Sequence, residues 1–343
     1  MKAVVFHNHG DVDVLQYTDI EDPKPGRGEV TVRIAACALN HLDIWVRQGG
    51  RGSIPMPHIL GSDVSGTVAE LGEGVEGIEV GTRCVVAPGL SNGTDEWCLT
   101  NRDSASPSFK ILGFQVQGGY AEYVTVPARN IIPVSDRYSM EEWASFPLVF
   151  LTSWHMLFTR ARLHAGETVL IQAAGSGLGI SAIQLAKLAG ARVITTASTD
   201  EKLNLARELG ADEVINYQKT DFVEEVKRLT GGEGVEVVFD HIGSETFVKG
   251  IQALKRYGRI ANCGTTAGPN ATINISDIYL RQIEIYGSFM GSLTEQRIVM
   301  RLAEEGKIKP VIDRVFPLQE AQAAHHRMLD RKNFGKIVLK VEN

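Results

Sequence analysis

The chain has 343 residues, 43% hydrophobic and 22% charged, with 35 Lys and Arg against 41 Asp and Glu; that is enough for about two globular domains. A net charge of −6 with no Lys/Arg-rich run argues against a nucleic-acid partner, and no segment approaches the ~20 apolar residues of a membrane span. The N-terminus lacks the apolar run of a secretory leader, and the four cysteines, Cys37, Cys84, Cys98 and Cys263, contain no C-x-x-C pair, so a reduced, disulfide-free cytoplasmic protein is expected.

In chain order, the first third reads as short strands punctuated by glycine. "EVTVRIAA" alternates, with Val30, Val32 and Ile34 on one side and Thr31 and Arg33 on the other. Continued, that alternation points Cys37 away from Ile34. "AACALNHLDIWVRQGG" follows and holds Cys37, His41 and Asp43 within seven residues. One reading is a metal-binding corner, with His58 as an additional ligand. The preferred reading is a helix beginning near Leu39 that buries Leu39, Leu42 and Val46 and pairs Asp43 with Arg47 at i, i+4. "SGTVAELG", "TRCVVAPG" and "GGYAEYVTVP" complete a compact, mostly β unit.

From about residue 165 the rhythm changes. Six short β-runs begin with "TVLIQ", "RVITT", "EVINY", "VEVVFDH", "RIANCG" and "IEIYGS" and are separated by helix-period segments. Such a series predicts a doubly wound parallel sheet. A helix, "TEQRIVMRLAEEG", and a strand, "GKIVLKVEN", close the chain, and the tandem His325–His326 is expected on an exposed helix.

The loop after the first of these β-runs, "AAGSGLG", is not a literal G-x-G-x-x-G, yet its small residues and the following helix N-terminus suit a pyrophosphate. NAD-binding domains usually carry an acid at the end of the second strand; here Ala197 and Ser198 stand there. Asp200 comes later and suits the next helix's first turn. Ser198, Thr199 and Lys202 could hold a 2′-phosphate, so NADPH is expected in preference to NADH.

Together, "ALNHLDIWVRQG", "PHILGSDVSGTVAELGEGV", "GGYAEYVTVP", "GETVLIQAAGSGLGISAIQLAKLAGARVITTAS", "GADEVINY" and "GKIVL" resemble the medium-chain dehydrogenase/reductase superfamily over nearly the whole chain. The nearest branch is the zinc-independent quinone oxidoreductases, with features of alcohol dehydrogenase-like members. The resemblance implies an α/β protein: a GroES-like catalytic domain at 1–149, a Rossmann domain at 150–288 and a C-terminal return at 289–343. It implies that Thr152, Ile242, Gly264, Thr265 and Phe289 surround the nicotinamide half of the cofactor. Ser176, Gly177, Leu178 and Gly179 would meet the pyrophosphate, Ser198, Lys202 and Tyr217 the adenosine phosphate, and Lys336 the cofactor phosphates.

Zinc alcohol dehydrogenases use three protein ligands. The positions matching them are Asn40, Ser62 in "GSD" and Val149, while Leu42 and Trp45 occupy the proton-relay positions. The segment 87–113 keeps the length of a structural zinc lobe but offers Asn92, Asp95, Cys98 and Ser106 where four cysteines are expected. The expectation is therefore no zinc, and a hydride acceptor reactive in its own right: a quinone or an α,β-unsaturated carbonyl.

Asn40 is the candidate donor to the developing oxyanion, with a helix N-cap as its other reading. His41 is read as a general acid or a solvent-facing residue, and Trp45 and Trp154 as apolar walls or core. An alcohol dehydrogenase and a non-catalytic NADPH-binding protein remain the competing functions. "QIEIYGSF" is apolar enough to pair with its copy in a homodimer or homotetramer.

Overall fold

The computed structural model describes residues 1–50 and 54–342. The chain divides into two compact units, one of Met1–Leu148 with Ser292–Asn343 and the other of Val149–Gly291.

The first unit is built on a seven-stranded sheet whose strands run in the order Ile131–Pro133, Arg83–Val86, Asp63–Leu71, Glu29–Ala38, Lys336–Lys340 and Ile312–Pro317. Tyr123–Pro127 pairs with Glu29–Ala38 off this path. The C-terminal strand Lys336–Lys340 thus lies antiparallel beside Glu29–Ala38, with Val338 opposite Ala38. Asn343, the last residue of the expected terminal strand, lies outside the described residues.

Strand Glu29–Ala38 does not keep the alternation expected of it. Its register against Asp63–Leu71 shifts between Ile34 and Ala36, a bulge at Ala35 that inverts the side-chain phase. Cys37 therefore joins Val30, Val32 and Ile34 in the main core, while Ala36 and Ala38 face Ala144 and Val338.

The second unit is the six-stranded parallel sheet predicted, in the order Glu213–Asn216, Arg192–Ala197, Thr168–Ile171, Val235–Asp240, Leu254–Asn262 and Glu284–Gly287. The strand order reverses between Thr168–Ile171 and Val235–Asp240, where open α/β sheets bind their ligands. Leu170, Ile194, Val238 and Ile260 pack with Phe222, Val226 and Ile251 in its core. No helix among the described residues is long and apolar enough to cross a membrane.

The tandem histidines are not both exposed. His325 is fully buried on the helix Ala321–Leu329, its Nε2 3.3 Å from the Tyr120 hydroxyl. Burial, then the neighbouring Arg47 charge, pushes its pKa down to about 3.

Candidate active site

The dinucleotide end of the second unit is built from strand ends. After Thr168–Ile171 the chain turns at Ala173, whose φ is +52°, into the helix Gly177–Leu188. Ser176 caps that helix: its Oγ accepts from Gly179 N–H at 2.9 Å and donates to the Ala173 carbonyl at 2.9 Å. Ser176 Oγ also lies 3.1 Å from His241 Nε2, which ties the loop to the end of Val235–Asp240.

A Cβ on Gly179 would fall 2.3 Å from the Ala173 oxygen, so only glycine permits this close approach. Gly264 is similarly constrained, with 2.4 Å between an added Cβ and the His241 oxygen. Ile242 N–H donates to Asp240 at 3.2 Å, and Thr265 and Phe289 are exposed. Thr152, on the helix Pro147–Trp154, has a buried Oγ1 with no hydrogen-bond partner. An open helix N-terminus, a glycine cradle and an unpartnered hydroxyl fit a dinucleotide.

At the second strand's end, Thr199 caps the helix Asp200–Glu208. Asp200 is committed to Lys219 Nζ at 2.6 Å and Asn216 Nδ2 at 2.7 Å. Tyr217 N–H donates to the Ala197 carbonyl at 3.2 Å, bringing Tyr217 beside Ser198. Lys202, in the first turn of Asp200–Glu208, completes the group.

The corner of the first unit that carries the candidate donor begins at the helix His41–Arg47, with Asn40 as its extended N-cap residue. Asp43 turns back to accept the Asn40 N–H at 2.7 Å, and it also takes the Gly61 N–H at 3.2 Å and the Tyr120 hydroxyl at 3.1 Å. The expected Asp43–Arg47 pair is therefore absent. Capping holds the carboxylate at the helix start, while the longer Arg47 reaches the Gly10 carbonyl at 2.8 Å and Asp11 at 3.5 Å. Burial pushes the Asp43 carboxyl up to about 6, against the pull of the Asn40 N–H, Lys336 and Tyr120.

Asn40 itself is 6% exposed. Its Nδ2 donates to Asp63 Oδ2 at 2.9 Å and its Oδ1 accepts from Lys336 Nζ at 2.7 Å. Lys336 Nζ also donates to the Leu39 carbonyl at 2.6 Å and Asp63 Oδ2 at 2.9 Å. Asp63 Oδ1 takes the Leu148 N–H at 2.8 Å. The resemblance places Lys336 on the cofactor phosphates; here its ammonium is committed within the first unit. His41 is exposed and its ring meets Trp45 edge-on at 5.0 Å between centroids. Trp45 and Trp154 are half-buried, and Trp154 packs on Phe158.

These residues do not fit a catalytic zinc. Asn40 is occupied by an ammonium and a carboxylate, Ser62 Oγ donates to the Leu112 carbonyl at 2.7 Å, and Val149 is apolar. His58 is bound to the Gly113 carbonyl at 3.2 Å. Among the described residues, no three His, Cys, Asp or Glu side chains gather in a metal-binding group.

The lobe has closed in the same way. Ser106 Oγ and Cys98 N–H both donate to Asp95, at 2.5 and 3.0 Å. Asn92 Oδ1 accepts from Thr94 and Asp95 N–H, and Cys98 Sγ lies 3.3 Å from Ser91 Oγ. The Ser106 hydroxyl, followed by the Cys98 N–H, holds the Asp95 carboxyl down to about 2.

Sequence reasoning did not identify Asp63 and Tyr120 as partners of this corner. Asp63 stood in a recognised motif position, whereas Tyr120 carried no signal beyond "GGYAEY".

The sequence profile described as "Alcohol dehydrogenase GroES-like domain" matches residues 26–136, and that described as "Zinc-binding dehydrogenase" matches residues 177–305. A crystal structure of an NAD-dependent alcohol dehydrogenase superposes with a TM-score of 0.96 at 45% identity, over 100% of both chains. An NAD-dependent alcohol dehydrogenase of Sulfolobus acidocaldarius is 35% identical over 99% of this chain and 100% of its own. The acryloyl-coenzyme A reductase of Metallosphaera sedula is 31% identical over 99% of each. The two-unit fold, the dinucleotide loop and these relatives lead to one conclusion: the chain belongs to the medium-chain dehydrogenase/reductase superfamily and is an oxidoreductase.

Proposed function

We propose that this oxidoreductase reduces α,β-unsaturated carbonyls or quinones with NADPH and without a catalytic metal. The observation that carries the reading is a buried amide, Asn40, held by Asp63 and Lys336 at a position where the zinc enzymes require a ligand. When bound, the reduced nicotinamide supplies a hydride to the electron-poor carbon of the acceptor. Conjugation then moves an electron pair onto the acceptor's oxygen, and that charge needs a donor rather than a Lewis acid.

Asn40 Nδ2 is that donor. The helix N-terminus at Ser176–Gly179 receives the pyrophosphate, and Thr152 Oγ1 offers a hydroxyl to the nicotinamide half. The second strand ends without a carboxylate, and Ser198, Lys202 and Tyr217 stand there instead, which supports NADPH. The relatives' names favour a second reading, alcohol–aldehyde interconversion with NADH, in which the same amide binds the carbonyl oxygen.

The deciding experiment follows oxidation of NADPH and of NADH with a quinone, an enone and an alkyl aldehyde, alongside metal analysis. Turnover of the quinone or enone with NADPH and no stoichiometric metal is expected. Turnover of the aldehyde alone, or its loss on chelation, overturns the proposal, and tight NADPH binding without turnover makes the protein a non-catalytic binder.

The location assigned is the cytoplasm. Self-association through the sheet-edge strand Glu284–Gly287, where Ile285 and Phe289 are exposed, is also proposed; a monomer in sedimentation at micromolar concentration overturns it.

A further inference from the structure

We infer that Lys336 is a positioning residue for this reduction: with Asp63 it locks the polarity of the Asn40 amide, so that an N–H and not a carbonyl meets the substrate oxygen. The inference rests on Asn40 being the oxyanion donor, as proposed above.

An amide group is nearly symmetric in shape and opposite in chemistry at its two ends, so a pocket must choose which end it presents. An ammonium has three donors and no acceptor, and a carboxylate accepts only. Asn40 lies between one of each, with Oδ1 on Lys336 Nζ at 2.7 Å and Nδ2 on Asp63 Oδ2 at 2.9 Å. Turned over, the amide would set its N–H groups against the ammonium and its carbonyl against the carboxylate. Lys336 is 5% exposed and Asp63 is fully buried, so water could not relieve either contact. Only one orientation survives. It commits one Nδ2 proton to Asp63 and leaves the other for an incoming oxygen.

The clamp is itself anchored on both sides. Val338 pairs with Ala38 and Leu339 with Cys37, and continuing that antiparallel register by two residues sets Lys336 opposite Asn40. The Leu39 carbonyl holds the ammonium at 2.6 Å, and the Leu148 N–H fixes the far oxygen of Asp63 at 2.8 Å. With Leu39, Asn40 and Asp63 as acceptors, all three ammonium protons are engaged. None remains for a cofactor phosphate, the role the family resemblance suggested. The two roles make opposite kinetic predictions, because a phosphate contact acts on cofactor binding and an amide lock acts on the chemical step.

The test uses the full-length protein with 2-cyclohexen-1-one as acceptor and NADPH affinity measured by fluorescence titration. Removing one oxyanion donor lowers kcat by roughly 10²-fold, and Lys336→Met is expected to lose about 10- to 100-fold while NADPH affinity changes by less than about twofold. In an Asn40→Ala background, Lys336→Met should add no further loss of kcat, because the lysine acts only through that amide. Lys336→Gln can both donate and accept, so Asp63 alone is left to set the amide; with half of the lock gone it should lose activity with the fold retained, and it carries the test if Lys336→Met does not fold.

Weakened NADPH binding with kcat kept, multiplying losses in the double variant, or a fully active Lys336→Gln would each overturn the inference. If Asn40→Ala alone keeps full kcat, the oxyanion-donor reading fails instead, whatever Lys336 does.

Discussion

The corner around Asn40 and the lobe around Asp95 are two answers to one situation, in which polar side chains stand where the superfamily's zinc enzymes place ligands. In the corner the side chains are sealed, and the solution is a full charge pair with Asn40 between its members. In the lobe, the Asp95 carboxylate is met by the Ser106 hydroxyl and the Cys98 N–H, while the nearby Arg129 pairs with Asp103 at 3.4 Å and not with Asp95. The contrast follows from the surroundings. A charge withdrawn from water needs a partner, whereas a solvated one needs only hydrogen bonds.

The largest expected effect is therefore Asp63→Leu. It strips Lys336 of its counter-charge and frees the Leu148 N–H, and breaking a buried pair in this way costs about 3–5 kcal/mol, read as a lowered denaturation midpoint. If Asp95→Ala destabilises as much, the contrast between the regions is wrong.

Acid sharpens it next. His325 is held down to about 3 when folded and titrates near 6.5 when unfolded, so its contribution is present above 6.5 and lost as pH falls toward 3. Asp43, raised to about 6 from 3.8, works in the opposite sense: stability is gained as pH falls through 6 toward 3.8. The two oppose each other between pH 6 and 3.8, and the histidine acts unopposed only between 6.5 and 6 and again below 3.8. Asp95, lowered to about 2, loses its contribution only below 3.8. Between pH 6 and 4 the His325 and Asp43 contributions should nearly cancel, His325→Phe should uncover the Asp43 contribution as a denaturation midpoint that rises with acid, and the lobe's proteolytic resistance should stay constant.

Smaller still is Asp95→Ala, expected to leave the midpoint nearly unmoved while speeding tryptic cleavage at Arg102. Smallest is the combined change Asn92→Cys, Asp95→Cys and Ser106→Cys. With Cys98 it should bind about one zinc per chain by metal analysis, with turnover unchanged.

The Rossmann sheet was legible because its central strands are short buried runs followed by helices of 3.6 period, as in "TVLIQ" and the segment opening at Gly177. The bulge at Ala35 was not. One extra residue in a strand leaves no compositional mark, yet it sends Cys37 into the core. Arg47 reads as the i, i+4 partner of Asp43 until the Gly10 carbonyl, 37 residues away, is placed above it. Lys336 and Asn40 are 296 residues apart, and their meeting depends on strand register, which no local pattern encodes. His325 was hidden by its exposed neighbour.

The saturated ammonium has an evolutionary consequence. Asn40→Cys on its own would set a thiol against a lysine, giving an ion pair in place of a coordinating group, while positions 62 and 149 still offered a hydroxyl and an isopropyl group. A zinc site built from these positions would require concerted change at residues 40, 62, 149 and 336, scattered along the chain. Selection acting one substitution at a time can alter the polarity and shape of this corner far more readily than it can install a full set of ligands.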